Sequence, residues 1–402
     1  MEKIEGGLSA VQDVWTSGVH AGFKTKQKDL ALIYFPKGAT VAGVFTRNLI
    51  KGHPVLYGQE MLKKQSEFKA VIINSGNANV SNGLQGDQDV LAMAEKTAKR
   101  LDIRPEEVLV SSTGIIGVPM DLTPLESGLE KAVEALNDTD STAAAKAIMT
   151  TDTKLKQVAY RLEVEGETIH IGGIIKGAGM IHPNMGTMLG YLTTDLALPQ
   201  KQLQEILRQA TDESFNLMTV DGDTSTNDTV LLASTNAVTV ELTDEVLSTF
   251  SQAITEVCQE LAKKIAADGE GQTKFVEVNV QGAASVGDAK KIAKTVATSS
   301  LVKTALYGGD ANWGRVLMAI GNSEPSALDP YRLSISFASK AGELLVCQNG
   351  QGVSFSEAKA TEILSASEIQ IEIDVGLGEG ERSVWTCDMS LDYIKINSDY
   401  RS

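Results

Sequence analysis

The apolar positions of the first hundred residues fall in short unbroken runs closed by glycine, proline and asparagine. Residues 30–35 read as a buried strand stopped by Pro36-Lys-Gly38, and residues 42–45 as a second strand. A third, 70–73, ends in Asn74-Ser-Gly-Asn-Ala-Asn79, whose side chains bond nearby backbone and tolerate left-handed dihedrals. That string reads equally as a structural turn or as a loop lining a site. Val90, Leu91, Ala94 and Thr97 recur at helical spacing and predict a helix over 87–100. A short strand at 108–110 runs into Ser111-Ser-Thr-Gly-Ile-Ile-Gly117, and helices follow at 124–136 and 141–149. Residues 158–170 predict a hairpin turning at Glu165-Gly166.

Further on, the pattern predicts a helix at 199–214 and a strand at 229–234, separated by the polar run Val220-Asp-Gly-Asp-Thr-Ser-Thr-Asn-Asp228. The longest amphipathic helix covers 245–267 and is closed by Asp268-Gly-Glu-Gly271. A strand at 274–280 and a helix at 288–297 lead to a compact loop, 307–315. Strands at 333–337, 343–347, 369–375 and 383–396, with a short helix at 356–364, complete the chain before a polar tail from Asn397. Strands and helices mix without strict alternation, which predicts an α/β layered sandwich of mixed sheets and helices. There is no internal repeat and no low-complexity linker. Any two domains within 402 residues would therefore pack closely or share elements.

Composition narrows the function classes. The apolar fraction of 42% and charged fraction of 22% are those of an ordinary globular protein. No apolar run reaches the roughly eighteen residues that a membrane helix needs. The start, Met1-Glu-Lys-Ile-Glu5, has no apolar leader, and a cytoplasmic protein is expected. A net charge of −16 argues against nucleic acid or anionic membranes as general partners, but allows a local basic pocket for a small acidic substrate. Cys258, Cys347 and Cys387 are odd in number and unclustered, as reduced thiols are. His20, His53, His170 and His182 have no paired metal-ligand spacing, so no metal is expected.

Candidate chemistry centres on Lys176-Gly-Ala-Gly-Met-Ile-His-Pro-Asn-Met-Gly-Thr-Met-Leu189, a glycine-rich loop between two strand-like runs. The Gly186-Thr187 pair at its end is a candidate self-cleavage site. A threonine hydroxyl needs a base to become a nucleophile. Cutting before Thr187 would supply one, because the freed α-amine titrates near ~7.7–8. Glycine at 186 allows a strained approach at little steric cost. Ser112-Thr-Gly-Ile115 is a tight turn after a strand, suited to a developing oxyanion, where one lost donor costs ~3 kcal/mol or more. Lys176 is a candidate partner for a substrate carboxylate and Glu270 for a substrate ammonium. No phosphate-cradling motif follows Gly177-Ala-Gly179.

Together these stretches resemble the ornithine acetyltransferase family, the glutamate N-acetyltransferases of arginine biosynthesis. Matching pieces run through nearly the whole chain. They include Asn74-Ser-Gly-Asn-Ala-Asn79, Ser112-Thr-Gly-Ile115, Ile148-Met-Thr-Thr-Asp-Thr153, Lys176-Gly-Ala-Gly-Met180, Thr219-Val-Asp-Gly-Asp-Thr-Ser-Thr-Asn-Asp228, Asp268-Gly-Glu270 and Asn312-Trp-Gly-Arg315. The resemblance implies a fold shared with self-cleaving aminopeptidases. It also implies autocleavage between Gly186 and Thr187, giving an α fragment, 1–186, and a β fragment, 187–402, intimately packed and paired into a heterotetramer. The family's nucleophile falls on Thr187 and its oxyanion pair on Thr113 and Gly114. Its substrate contacts fall on Thr150, Lys176, Thr187, Glu270, Asn397 and Ser402. The implied reaction moves acetyl from N2-acetyl-L-ornithine to L-glutamate without a cofactor, with acetyl-CoA as a candidate second donor. A self-processing aminopeptidase or amidase of the same fold is the alternative. The family often has alanine where Gly186 stands and threonine where Ser402 stands; both replacements keep the needed size or hydroxyl.

Overall fold

A computed structural model of the chain describes residues 1–182 and 188–399. It divides into two compact units: Met1–Asn216 with Asp223–Leu261, and Leu217–Gly222 with Ala262–Ser402. This division is distinct from the fragment boundary expected after residue 186.

Among the described residues of the first unit, nine strands form one mixed sheet: β1 (Glu2–Ile4), β2 (Trp15–Val19), β3 (Leu30–Phe45), β4 (Glu67–Asn77), β5 (Val108–Ile115), β6 (Gln157–Val164), β7 (Glu167–Lys176), β8 (Leu189–Leu196) and β9 (Thr229–Val238). Their order is β1-β6-β7-β8-β9-β3-β4-β5, with β2 also paired to β3. The β4–β5 and β8–β9 pairs are parallel and the others antiparallel. The helices are α1 (His53–Lys64), α2 (Gly83–Leu101), α3 (Thr123–Glu134), α4 (Thr142–Ile148), α5 (Gln200–Asp212) and α6 (Asp244–Ala266), the last shared between the units.

The unbroken apolar runs reflect a sheet covered on both faces. On one face Ala31, Ile33 and Phe35 of β3 pack with Tyr191, Leu231 and the alanines of α4. On the other, Leu30 and Leu32 pack with Val90, Met93 and Ala94 of α2 and with Leu125 and Leu129 of α3. Each of the larger of these side chains contributes about 1.5–3 kcal/mol by leaving water.

Pro36-Lys-Gly38 does not end a strand, as the sequence predicted. It sits where the β3–β4 register shifts, between Tyr34 and Ala39. Proline cannot donate to a ladder, and Gly38 takes φ +84°, so a bulge absorbs both. Before the bulge β3 pairs with β2, and after it with β9. Helix α1 escaped the sequence reading because Pro54 and Gly58 interrupt its pattern. Gly58 leaves room for Phe45, whose ring would lie 3.2 Å from any added Cβ.

Among the described residues of the second unit, six strands form a sheet in the order β13-β12-β11-β14-β10-β15: β10 (Phe275–Ala283), β11 (Ser334–Ser339), β12 (Gly342–Gln348), β13 (Gln351–Gly352), β14 (Glu368–Asp374) and β15 (Gly380–Cys387). Val276, Val278 and Val280 alternate with less buried residues, as do Ile369, Ile371 and Ile373, so one face carries the core. Helix α7 (Val286–Thr298) packs on β10 and β15. The predicted loop 307–315 is instead a helix–turn–helix. Helix α8 (Ser300–Gly308) ends at left-handed Gly309, and α9 (Trp313–Gly321) starts from Asn312, whose side chain accepts from the Arg315 amide. Helix α10 (Glu357–Leu364) packs on β11 and β12. The predicted strand 383–396 is half right. After β15, the Ser390 hydroxyl accepts from the Asp392 and Tyr393 amides and starts helix α11 (Leu391–Ser398).

Gly18 in β2 lies so close to α4 that an added Cβ would sit 1.9 Å from the Ala143 carbonyl oxygen. Gly18→Ala should therefore lower stability by about 1–3 kcal/mol or more, read as a fall in the urea midpoint. An unchanged midpoint would mean that α4 shifts freely on the sheet.

Candidate active site

Strands β4 and β5 run parallel to their ends, with Ser75 opposite Thr113 and Gly76 opposite Gly114. Both glycines have positive φ, +118° and +133°. A Cβ on Gly114 would lie 2.3 Å from the Gly76 carbonyl carbon, so the close approach requires glycine there. Immediately beyond, the register shifts at Asn77, and the Ala78 amide donates to the Ile115 carbonyl at 2.9 Å. The Asn227 side-chain amide ties this end together, donating to the Ala78 carbonyl at 2.6 Å and the Ser112 carbonyl at 2.9 Å.

Lys176 is the last residue of β7 and is buried. Its ammonium donates to the Thr113 hydroxyl at 3.4 Å. Lys176 is also the register partner of Leu189, the first residue of β8. The glycine-rich loop is therefore the connection between two neighbouring antiparallel strands. Gly186 and Thr187 belong to that connection in sequence and lie outside the described residues, as does Ser402.

Thr150 is tied to the same end of β7 by Asp152. One Asp152 oxygen accepts from the Thr150 amide at 3.0 Å; the other accepts from the Gly177 amide and the Lys156 ammonium, each at 2.7 Å. Burial would raise the pKa of this carboxyl, but the charges of Lys156 and Lys176, and the bonds from Lys156 and the Gly177 amide, hold it at about 2.

On the other side of the connection, Asp228 is fully buried and accepts from the Met188 amide at 3.0 Å. Burial pushes its carboxyl well above the usual range, against the pull of that amide and of Lys176. Among the described residues its second oxygen has no hydrogen-bond partner. The surroundings thus set two acids apart, lowering the pKa of Asp152 and raising that of Asp228.

In the second unit, Glu270 is buried and accepts from the Asn397 side-chain amide at 2.8 Å. The left-handed Gly271 follows it, its carbonyl bonded by the Ser390 hydroxyl at 2.5 Å. So the structure brings Thr113, Gly114, Thr150 and Lys176 to one end of the first sheet, and Glu270 and Asn397 together in the second unit.

Sequence reasoning singled out neither Asp152 nor Asn227 nor Asp228. All three lie in polar strings that it noted, but nothing local marks which side chain turns inward. Chemically, a lysine ammonium against a threonine hydroxyl, beside a glycine turn, concentrates donors where an oxyanion could form. Among the described residues no three His, Cys, Asp or Glu side chains gather as metal ligands, and no helix is long and apolar enough to cross a membrane.

A mixed α/β fold with a donor-rich turn beside a strand connection is the framework of an acyl-transfer site. The pattern that defines the ArgJ family matches residues 15–402, and the chain belongs to that family. It is 46% identical over 391 residues to the arginine biosynthesis bifunctional protein ArgJ of Thermotoga neapolitana, covering 96% of this chain and 98% of that one. It is 43% identical over 403 residues to the protein of the same name from Bacillus subtilis, covering 100% of this chain and 98% of that one. The crystal structure of arginine biosynthesis bifunctional protein argJ from Bacillus halodurans matches with 38% identity and a TM-score of 0.48, over 52% of this chain and 97% of that chain.

The folded pKa of Asp152, about 2, lies below the 3.8 of an ordinary aspartate. Its stabilisation is therefore complete above pH about 4 and is lost as the pH falls towards 2. Asp152→Asn should cost about 3 kcal/mol or more at pH 7, because it breaks the buried ion pair with Lys156. The gap between parent and variant, followed by denaturant titration, should narrow between pH 4 and 2. A gap independent of pH would mean that Asp152 acts by packing alone.

Proposed function

We propose that the protein is a glutamate N-acetyltransferase of L-arginine biosynthesis. It transfers acetyl from N2-acetyl-L-ornithine to L-glutamate through an ester on Thr187, after the chain cuts itself between Gly186 and Thr187. The observation that carries this reading is the contact between Lys176 and Thr113, at the end of β7 from which the scissile connection departs. Membership of the ArgJ family along residues 15–402 supports it over a hydrolase of similar fold.

Cleavage begins when the Thr187 hydroxyl attacks the Gly186 carbonyl. The peptide C–N bond breaks as an ester forms, and water opens that ester. The products are a Gly186 carboxylate and a Thr187 with free hydroxyl and free amine. In the first transfer step that amine takes the hydroxyl proton, and the oxygen attacks the acetyl carbonyl of acetylornithine. Thr113 and Gly114 stabilise the oxyanion. The departing ornithine nitrogen takes up the proton, leaving acetyl on Thr187. The amine of glutamate then attacks the ester, N-acetylglutamate leaves, and the hydroxyl is restored. Lys176 and Thr150 hold a substrate carboxylate and its surroundings, and Glu270, with Asn397, receives the side-chain ammonium of ornithine. Ser402 is the remaining contact. No step calls on a metal or organic cofactor. Acetyl-CoA serves as a second donor, which would also let the enzyme make N-acetylglutamate afresh.

The fragments 1–186 and 187–402 stay together after the cut, because β8 and β9 lie between β7 and β3 in the same sheet. Two such pairs form a heterotetramer in the cytoplasm.

A denaturing gel tests the cut: purified protein should run as two fragments, and Thr187→Ala as one band without transfer. Transfer surviving in that variant would reject Thr187 as the nucleophile. Initial rates against both substrates should give the parallel lines of a ping-pong reaction. Acetylornithine consumption that ignores glutamate would identify a hydrolase instead, and activity with acetyl-CoA and glutamate alone would establish the second donor.

A further inference from the structure

A second lysine stands at the same end of the sheet. Asp29 is fully buried, and its carboxylate accepts from the Ala21, Gly22 and Lys24 amides at 2.6, 3.0 and 2.8 Å. Three amide donors on one buried acid fix the path of residues 21–24. That path lies against Gly76: a Cβ there would sit 2.7 Å from the Phe23 carbonyl oxygen and 3.3 Å from Lys24 Cγ. Gly76 is the register partner of Gly114. The stem of Lys24 therefore crosses the end of β4 beside the oxyanion turn.

The Lys24 ammonium donates to the Met149 carbonyl at 2.5 Å and the Lys28 carbonyl at 3.2 Å. Met149 adjoins Thr150. Neither acceptor is an acid, and an ammonium has three protons to give. Burial lowers the pKa of Lys24 to about 8; Asp29 and Asp152 act against that shift and Lys176 with it. Asp152 is already paired with Lys156, and Asp29 is committed to three amides. The site thus has two lysines, Lys176 and Lys24, close enough to feel each other's charge.

We propose that Lys24 is a specificity residue that binds the side-chain carboxylate of the acetyl acceptor. The inference rests on the function proposed above. The donor, acetylornithine, has one carboxylate, and its side chain ends in an ammonium. Glutamate has two carboxylates. One lysine matches the carboxylate that both molecules share; a second has a counterpart only in glutamate. Lys24 therefore acts chiefly in the second half of the reaction, when the acetyl group leaves Thr187.

Lys24→Met and Lys24→Arg separate this role from a simple tie between residues 21–24 and the end of α4. In Lys24→Met the KM for glutamate should rise about tenfold or more, the scale of a lost charge-assisted hydrogen bond. Acetylation by acetylornithine, read as the burst of released ornithine, should fall much less. The preference for glutamate over glutamine as acceptor should shrink by a similar factor. Lys24→Arg should recover most of both losses. Equal losses in the two half-reactions, or an unchanged glutamate KM and preference, would overturn the proposal. If the Met variant does not fold, Lys24→Gln is read by the same two criteria. No ornithine burst in the unaltered protein would instead refute the proposed function itself.

Discussion

The Asp152 carboxylate is cut off from water, and the arrangement at the end of β7 follows from how its charge is compensated. An uncompensated carboxylate at that depth would take up a proton. Lys156, Lys176 and the amides of Thr150 and Gly177 keep it ionised instead. In doing so they draw the segment after α4 and the start of the glycine-rich connection to a common centre. Buried ion pairs add little net stability over apolar packing, but they allow few alternative arrangements. Restriction of this kind is what the acyl-transfer site proposed here would need, since such a reaction tolerates little displacement of its donors.

Two kinds of constraint meet here. Backbone sterics bring β4 and β5 together at Gly76 and Gly114, where no side chain fits. Electrostatics place Lys176 on Thr113, and burial raises the pKa of Asp228 beneath Met188. The first constraint sets positions and the second sets protonation. Similar burial acts on both acids, but Lys156 bonds Asp152 at 2.7 Å and lowers its pKa, whereas burial prevails at Asp228 and raises its pKa.

Much of this was legible in the sequence where burial writes a strong pattern. The strands around Leu32, Ile72 and Leu109 are apolar throughout because helices cover both faces of their sheet. The glycine turn at Thr113-Gly114 and Lys176 could be singled out as polar, glycine-rich stretches next to strands, and the structure brings the two together. Glu270 could be picked out by its charge after a helix end, but Thr150 and Asn397 were reached only by resemblance, since the Glu270–Asn397 contact joins segments far apart in the chain. Lys24 left no mark, because it shares its stretch with Lys26 and Lys28 and looks like a solvated loop. Its burial comes from Asp29 curling residues 21–24 onto Gly76, a tertiary event. The helix after Ser390 was read as strand because Ile394 and Ile396 alternate with polar residues, and a one-residue cap outweighed that alternation.

The adjacency of β7 and β8 has a kinetic side. Before cleavage, the short connection keeps the two strands at high local concentration, and their pairing is a unimolecular event. If the connection is cut between Gly186 and Thr187, as proposed, the same sheet would have to be rebuilt from two chains, and its reassembly would become second order in protein. The mature enzyme would therefore hold its shape through slow unfolding of a central sheet rather than through ready refolding. Dilution, harmless to the precursor, would make any opening of that sheet hard to reverse.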